Sequence, residues 1–549
     1  MNLLPHDTIR CIGARLEARD FMCFMAVCRN FRLWLADSIT NKLLSHQKLH
    51  YYRMKDSLAR YRTVLDTSLM GSGKTYTACA PAVQYKLGLT VFCPASVVNV
   101  WNKAIKEFGI HDGGTEVYTY GVMRKSNKYL TVKENETQAP NAAAVGMGVR
   151  GGRRAIRTDE SPSDHFTYET TPEWKKRINT GTLLVFDECQ NLKNKSKQFR
   201  CALALSGTLL DSNSSSKQIS LSATPMDKQE QVMRICLLNG IVKTRKVARY
   251  DIQEGYILEG IGEMLEWAIP DRRQRAEQAA TINARNKYDV ALAIYNTHIK
   301  PKISSCMPAP PIPVPLNVKD GYYCFGDEDL EMLSRGLGIL DWALRMDDQR
   351  LRAQGLDFWV IVQSGLKTVE RAKINTFVRL AKMVLDDSPN MKVIIMVNFL
   401  DTLDILADRL SAYRPMILQG KTNKSKRHPM IDKFNENSSD HRLLIGTMAT
   451  MALGISLHDT VGNMPRVELL NANYKMMEMH QAVGRVYRTG TMSTPYVRFV
   501  YAKCALQEVS LLKAISRKKA VMEMALDDIL RNKVVFPGGY DQFIEPDMH

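Results

Sequence analysis

A chain of 549 residues is too long for one hydrophobic core, and its 11 scattered cysteines, with no C-x-x-C pair, argue for a reducing compartment and against a disulfide framework or zinc module. No apolar run reaches membrane-spanning length, and Met1 to Asp7 lacks the charged-then-apolar layout of a secretory signal, so an intracellular protein, not secreted and with no membrane partner, is expected. A formal net charge of +18 favours a polyanionic partner, nucleic acid first, over a protein that is merely basic.

Residues 1–44 read as a helical unit: LLPHDTIRCIGARL and FMCFMAVCRNFRLWL carry apolar residues at helical spacing, split by the polar EARD. Next comes SLMGSGKTYTA (68–78), after the half-apolar run YRTVLDT. Gly71-Ser72-Gly73-Lys74-Thr75 has the make-up of a phosphate loop. Glycines let the backbone curl so that its N–H groups face phosphate oxygens; the lysine reaches the β/γ-phosphates and the threonine hydroxyl holds Mg²⁺. The general pattern G-x-x-x-x-G-K-[ST] asks for glycine at 68, where this chain has Ser68. For these residues alone, a glycine-rich turn before a helix is the plainer reading.

Strand-like runs then alternate with amphipathic helices. LTVFCPA (89–95) is a short β-rich run, and GTLLVFDEC (181–189) is a buried strand ending in two acids. Residues from about 130 to 165 read as a long surface loop in which Arg150, Arg153, Arg154 and Arg157 cluster. Magnesium on a nucleotide needs an acid at the end of a neighbouring strand. Asp187 suits the metal, and Glu188 beside it suits the attacking water. Ser222-Ala223-Thr224-Pro225 is a further strand-end stretch of small hydroxyl residues. Residues 236–370 resist parsing beyond helical stretches and MPAPPIPVPL (307–316), whose prolines make a stiff extended linker.

From about 371 the alternation returns, with MKVIIMVNF (391–399) and RLLIGTM (442–448) as strands and TLDILADRL and HPMIDKF as helices between them. The pattern predicts an α/β protein with two parallel-sheet domains in tandem, at 45–235 and 371–535, a helical and extended middle section at 236–370, and a tail at 536–549. GTMATMALGISLHD (446–459) precedes HQAVGRVYRTG (480–490), where Arg485 and Arg488, three apart, are expected on one helix face. Two guanidiniums on a domain other than the one carrying the phosphate loop suit arginine fingers. Two surface arginines on a basic protein are the plainer alternative.

As an ordered set, G-S-G-K-T, F-C-P-A-S, D-E-C-Q, S-A-T-P, G-I-S-L-H-D and Q-A-V-G-R-V-Y-R-T-G resemble the superfamily 2 helicases and translocases. In that family the first loop position is usually alanine or serine, which accounts for Ser68. VFCPASVVNVWNKAIKEF (91–108), DECQNLKNKSKQFRCALAL (187–205), QAVGRVYRTGT (481–491) and SLLKAISRKKAVMEMALDD (510–528) look most like the Swi/Snf-type DNA-dependent ATPases. The resemblance covers about 45–235 and 375–530. It implies two RecA-like domains that use ATP and Mg²⁺. It further implies that Gly71, Ser72, Gly73, Lys74 and Thr75 grip phosphate, that Thr75 and Asp187 hold the metal, and that Glu188 orients water. By the same resemblance Gln47 reads adenine. Pro94, Ser96, Ser222, Thr224 and Thr447 couple the cleft to nucleic acid. Gly454, Asp459 and Gln481 line the second domain's side, where Arg485 and Arg488 face the γ-phosphate.

There are departures. Gln190 stands where that branch usually has histidine, and Thr491 where it often has glutamine. They fit divergent members from large DNA viruses, hence a nucleus, a cytoplasmic viral factory or a virion as the setting. The implied function is ATP-driven movement on nucleic acid, DNA favoured over RNA, or remodelling of protein–DNA or transcription complexes. An ATP-gated binding factor without unwinding shares every motif, and an RNA helicase is a further alternative. Leu4-Pro5, Ile9, Ile12, Leu16, Asp20, Val27-Cys28-Arg29 and Trp34 resemble an F-box, which implies docking on a ubiquitin-ligase adaptor. A helical cap on the first α/β domain has the same apolar spacing. The intact Lys74, Asp187, Glu188, Arg485 and Arg488 weigh against an F-box adaptor with a decayed ATPase body.

Overall fold

The structure is a computed structural model that describes residues 39–69, 71–110, 114–125, 127–134, 166–244, 248–251, 255–283, 286–307, 312–346, 357–451, 455–473 and 475–502. The F-box-like residues 4–34, the arginine cluster at 150–157, Gly454 and the segment 510–528 lie outside the described residues. The chain divides into two compact units: residues 1–68 and 73–308 form the first, and residues 69–72 and 309–549 the second.

In the first unit the strands are β1 (Thr63–Asp66), β2 (Gly88–Cys93), β3 (Thr115–Thr119), β4 (Leu130–Glu134), β5 (Phe166–Thr170), β6 (Thr182–Asp187), β7 (Lys217–Leu221), β8 (Ala248–Asp251), β9 (Gly255–Leu258) and β10 (Ser304–Ser305). Six of them form one sheet in the order β10-β1-β7-β6-β2-β3, with every neighbouring pair parallel. All six residues of β6 are buried, as its unbroken apolar run requires of a parallel strand covered on both faces. Trp101 and Phe108 share a core with Tyr51, Met54 and Leu58 of the helix Ser45–Tyr61. Leu43, near the end of the stretch 1–44, belongs to that core too. The surface loop expected from 130 also begins differently. β4 and β5 pair antiparallel, which makes Leu130–Glu134 one arm of a two-stranded ribbon.

In the second unit β11 (Asn317–Tyr323), β12 (Lys392–Val397), β13 (Met416–Leu418), β14 (Leu443–Thr447), β15 (Arg466–Leu470) and β16 (Tyr496–Ala502) build another all-parallel sheet. Its order is β11-β16-β15-β12-β14-β13. The stretch 236–370, expected as a separate middle section, is instead shared out: β10 extends the first sheet and β11 the second. Sequence pattern misses both strands for a physical reason. β10 is two serines, and β11, NVKDGYY, lies at a sheet edge, where charges and glycine discourage further pairing and break up the apolar run.

The same stretch supplies two helices, Asp327–Arg345 and Phe358–Arg371, that cross at glycines. A Cβ on Gly336 would stand 2.8 Å from the Val369 backbone nitrogen and 3.1 Å from the Gly365 carbonyl oxygen. Gly336→Val is therefore expected to cost roughly 1–3 kcal/mol by overpacking, read as a lower urea midpoint. A wild-type midpoint would mean that the helices repack freely.

Among the described residues no helix is long and apolar enough to cross a membrane.

Candidate functional site

The register of the first sheet brings three strand ends level: Asp66 of β1 stands opposite Leu221 of β7, which stands opposite Asp187 of β6. Loops leaving the carboxyl ends of parallel strands are where α/β proteins bind ligands. Here those loops are 67–73, 188–192 and 222–225.

The first is shaped by its glycines. Gly71 (φ +75°) and Gly73 (φ +88°) hold left-handed backbone, and the helix Lys74–Tyr85 starts directly after Gly73. The N-terminus of that helix, at the end of the loop, attracts anions through its dipole. Lys74 is buried and donates from Nζ to the Ser68 carbonyl oxygen at 2.8 Å; the Ser72 hydroxyl donates to the Leu69 carbonyl at 2.7 Å. Thr75, the second helical residue, is half-buried. Ser68 has its own work in the fold. Its N–H donates to Asp66 Oδ1 at 2.8 Å and its hydroxyl accepts from the Met307 N–H at 2.7 Å. Gln47, on the helix Ser45–Tyr61, lies against the same loop: a Cβ on Gly73 would meet Gln47 Nε2, and Gln47 Oε1 accepts from the Leu44 N–H at 3.0 Å.

At the end of β6, Asp187 Oδ2 accepts from the Trp101 indole at 2.8 Å and Oδ1 from the Glu188 N–H at 2.9 Å. Burial, and then the adjacent Glu188 charge, push its carboxyl above the usual carboxylate range, against the pull of Trp101 and Lys74. Glu188 itself sits in left-handed backbone (φ 53°, ψ 51°), a conformation an L-residue adopts only where its surroundings impose it.

Gln190 is the connection. Its Nε2 donates to Glu188 Oε2 at 2.6 Å, while its Oε1 accepts from the Ser222 hydroxyl at 2.7 Å; Ser222 Oγ accepts in turn from the Thr224 N–H at 3.0 Å. The residue that departs from the family pattern thus ties the acid pair to the S-A-T-P stretch by a neutral amide. Ser222 and Thr224 are fully buried. Pro94 and Ser96 occupy the half-buried turn after β2. Sequence reasoning met Trp101 only as the tryptophan of the family-like stretch 91–108, with no role at the acid pair, and had no assignment for Tyr120, whose hydroxyl donates to the Asp187 carbonyl oxygen at 2.8 Å.

In the second unit one expectation changes. Arg485 lies on the helix Met476–Val486, but Tyr487 is extended (φ −127°), so Arg488 falls outside the helix. A tight turn stops it: the Thr491 N–H donates to the Arg488 carbonyl at 3.0 Å, Thr491 Oγ1 accepts from the Arg488 N–H at 3.0 Å, and Gly490 takes φ +90°. The guanidiniums nonetheless converge on one carbonyl. Nη1 of Arg485 lies 3.1 Å and Nη1 of Arg488 lies 3.4 Å from the Ile455 oxygen, and Arg488 also reaches Ser456 Oγ at 2.5 Å. Burial pushes His458 down to about 4, with the Arg488 charge as the next cause.

Asp459 spends its carboxylate on its own loop, accepting from the N–H groups of Val461 (3.0 Å), Gly462 (3.1 Å) and Met464 (2.9 Å). Gln481 is buried on the Arg485 helix. Thr447 ends β14, 2.8 Å hydroxyl to hydroxyl from Thr450.

Residues 372–490 match the family model described as the helicase conserved C-terminal domain. A protein of Acanthamoeba polyphaga mimivirus named as an ATP-dependent RNA helicase is 23% identical over 499 residues, 88% of this chain and 84% of that one. The DNA repair protein RAD5 of Candida albicans is 29% identical over 157 residues, 28% of this chain but only 14% of RAD5. The DNA repair and recombination protein RAD54-like of Drosophila persimilis is 27% identical over 141 residues, 25% of this chain and 17% of its own length. The Sulfolobus solfataricus SWI2/SNF2 ATPase core, solved in complex with double-stranded DNA, aligns over 90% of this chain and 97% of its own at 15% identity, with a TM-score of 0.29, too low to carry an argument. The helicase-domain match over residues 372–490 and the viral and repair-protein relatives, with the ordered motifs and the two parallel sheets, make this chain similar to helicases and helicase-like ATPases.

Proposed function

We propose that the protein is a nucleic-acid-stimulated ATPase that moves along DNA or remodels complexes on it, with an ATP-binding lobe built on the first sheet and a second lobe on the other. The observation that carries the reading is the convergence at the first sheet's strand ends. The register sets Asp66, which leads into the loop bearing Lys74, level with Asp187, and the Lys74 charge pulls on the Asp187 carboxyl. Gln190 then links Glu188 to Ser222 and Thr224.

In this mechanism the loop N–H groups, Lys74 and the N-terminus of the helix Lys74–Tyr85 hold the phosphates. Thr75 and Asp187 would hold Mg²⁺. Two hard oxygen donors suit that ion, and a cation there would offset the burial and the neighbouring Glu188 charge that raise Asp187. The metal supplies charge neutralisation on the phosphates. Glu188, with one oxygen held by Gln190, orients the water and takes its proton as the new P–O bond forms and the bond to the ADP oxygen breaks. Gln47 reads adenine from beside Gly73. Arg485 and Arg488 offset the charge that builds on the phosphoryl group.

RNA as the track is the second reading, favoured by the name of the mimivirus relative; docking of the N-terminal unit on a ubiquitin-ligase adaptor remains a proposal from sequence alone. The test is ATP turnover with single-stranded DNA, duplex DNA and RNA side by side, with binding followed against salt. DNA is expected to stimulate most, and affinity is expected to fall by about 10³-fold or more between 50 and 200 mM salt if six or more phosphates are contacted. No stimulation by any polynucleotide, or a flat salt response, overturns the reading.

A further inference from the structure

We infer that His50 is a positioning residue that seats the adenine-reading helix on the phosphate loop, a proposal that rests on the ATPase reading above. Gln47 and His50 are three apart on the helix Ser45–Tyr61 and so share a face. That face touches the loop at both of its ends. Gln47 packs against Gly73 where the loop runs into the helix Lys74–Tyr85, and His50 Nε2 lies 2.9 Å from Asp66 Oδ2 where the loop leaves β1. The other ring nitrogen, Nδ1, is 2.9 Å from the Ser305 hydroxyl of β10.

His50 and Asp66 are fully buried, and Ser305 is 6% exposed, so this Ser–His–Asp chain has no access to a substrate and is not a nucleophilic triad. Its partners explain what it does. Asp66 Oδ1 takes the Ser68 N–H; the Ser305 carbonyl oxygen takes the Thr67 N–H at 2.8 Å; and the Met307 N–H binds the Ser68 hydroxyl. One imidazole therefore joins three segments: the helix bearing Gln47, the start of the loop, and residues 305–307. Burial would raise the Asp66 carboxyl, but His50, and then Lys74, hold it below the usual carboxylate range. A buried polar pair contributes little net stability, yet it fixes geometry, and losing His50 leaves the buried Asp66 carboxylate without its neighbour.

The expected consequence is a change in nucleotide affinity rather than in chemistry. In steady-state ATPase assays with the best-stimulating polynucleotide, His50→Phe is expected to raise KM for ATP about tenfold with kcat within about twofold of wild type. Ser305→Ala, which removes one hydroxyl that holds the ring, is expected to raise KM about threefold. On top of Gln47→Ala, His50→Phe should add less than about twofold, because seating the helix no longer matters once its amide is gone. A purely structural role predicts instead a kcat that falls with the folded fraction at unchanged KM. Unchanged KM in folded His50→Phe, or a full multiplicative effect in the Gln47→Ala background, overturns the proposal. If His50→Phe does not fold, unchanged KM in Ser305→Ala does the same. A wild-type protein that hydrolyses no ATP strikes the ATPase reading itself, a result distinct from either.

Discussion

Glu188→Gln is expected to lower ATP turnover by roughly 10²–10⁴-fold, the loss typical when a general base is removed, while ATP still binds. The substituted amide has the same shape and can present its oxygen to Gln190 Nε2, so the bridge onward to Ser222 survives. The left-handed backbone at position 188 is no harder for glutamine than for glutamate. What disappears is the group that takes the water's proton. Single-turnover hydrolysis alongside equilibrium binding of a fluorescent ATP analogue separates the two effects. Turnover within about twofold of wild type would remove Glu188 from the mechanism. Lys74→Ala provides the contrast. It takes away a phosphate contact and also the positive charge near Asp66 and Asp187, so binding and turnover should fall together.

The paired arginines carry the second large effect, and the structure separates their expected phenotypes. Arg488→Ala should slow the chemical step by about 10³–10⁵-fold, the range for lost arginine fingers, with ATP affinity kept. Arg488 stands outside the helix, and its partners are the Ile455 carbonyl and the Ser456 hydroxyl. Arg485 is 4% exposed, and it is the charge that pulls down the fully buried Glu468, whose carboxyl burial lifts well above the usual range. Arg485→Ala should therefore slow chemistry and also destabilise the second unit by roughly 1–3 kcal/mol, the cost of leaving a buried acceptor, the Ile455 carbonyl, without its donor. Thermal melting of the two variants, read beside single-turnover rates, checks the split. Equal melting temperatures would put both arginines in the same role. A loss of ATP affinity in Arg488→Ala would make that residue structural.

The site was legible to different depths. The phosphate loop, the acid pair and S-A-T-P were visible because backbone conformation and charge at each place demand particular residue types at fixed spacing: glycine where φ is positive, an acid at a strand end, a small hydroxyl residue in a buried turn. Gln190 was visible only as a departure; that its amide faces Glu188 on one side and Ser222 on the other is a fact of tertiary position. The expectation that Arg485 and Arg488 share a helix failed because the turn at 488–491 ends it, a competition that side-chain spacing does not register. Yet the guanidiniums still meet at Ile455, since an extended Tyr487 turns the chain back toward it.

By itself the amino-acid order settled the two α/β units, whose central strands β6, β12 and β14 are apolar runs that only a covered parallel sheet can bury. The tertiary structure alone decided where 236–370 belongs, since β10 and β11 are recognisable only by the strands that they pair with. It alone decided, too, that His50, Asp66 and Ser305 form one buried chain beside the loop 67–73. Local sequence encodes what a segment must be; residues 255 apart meet only when the whole sheet has closed.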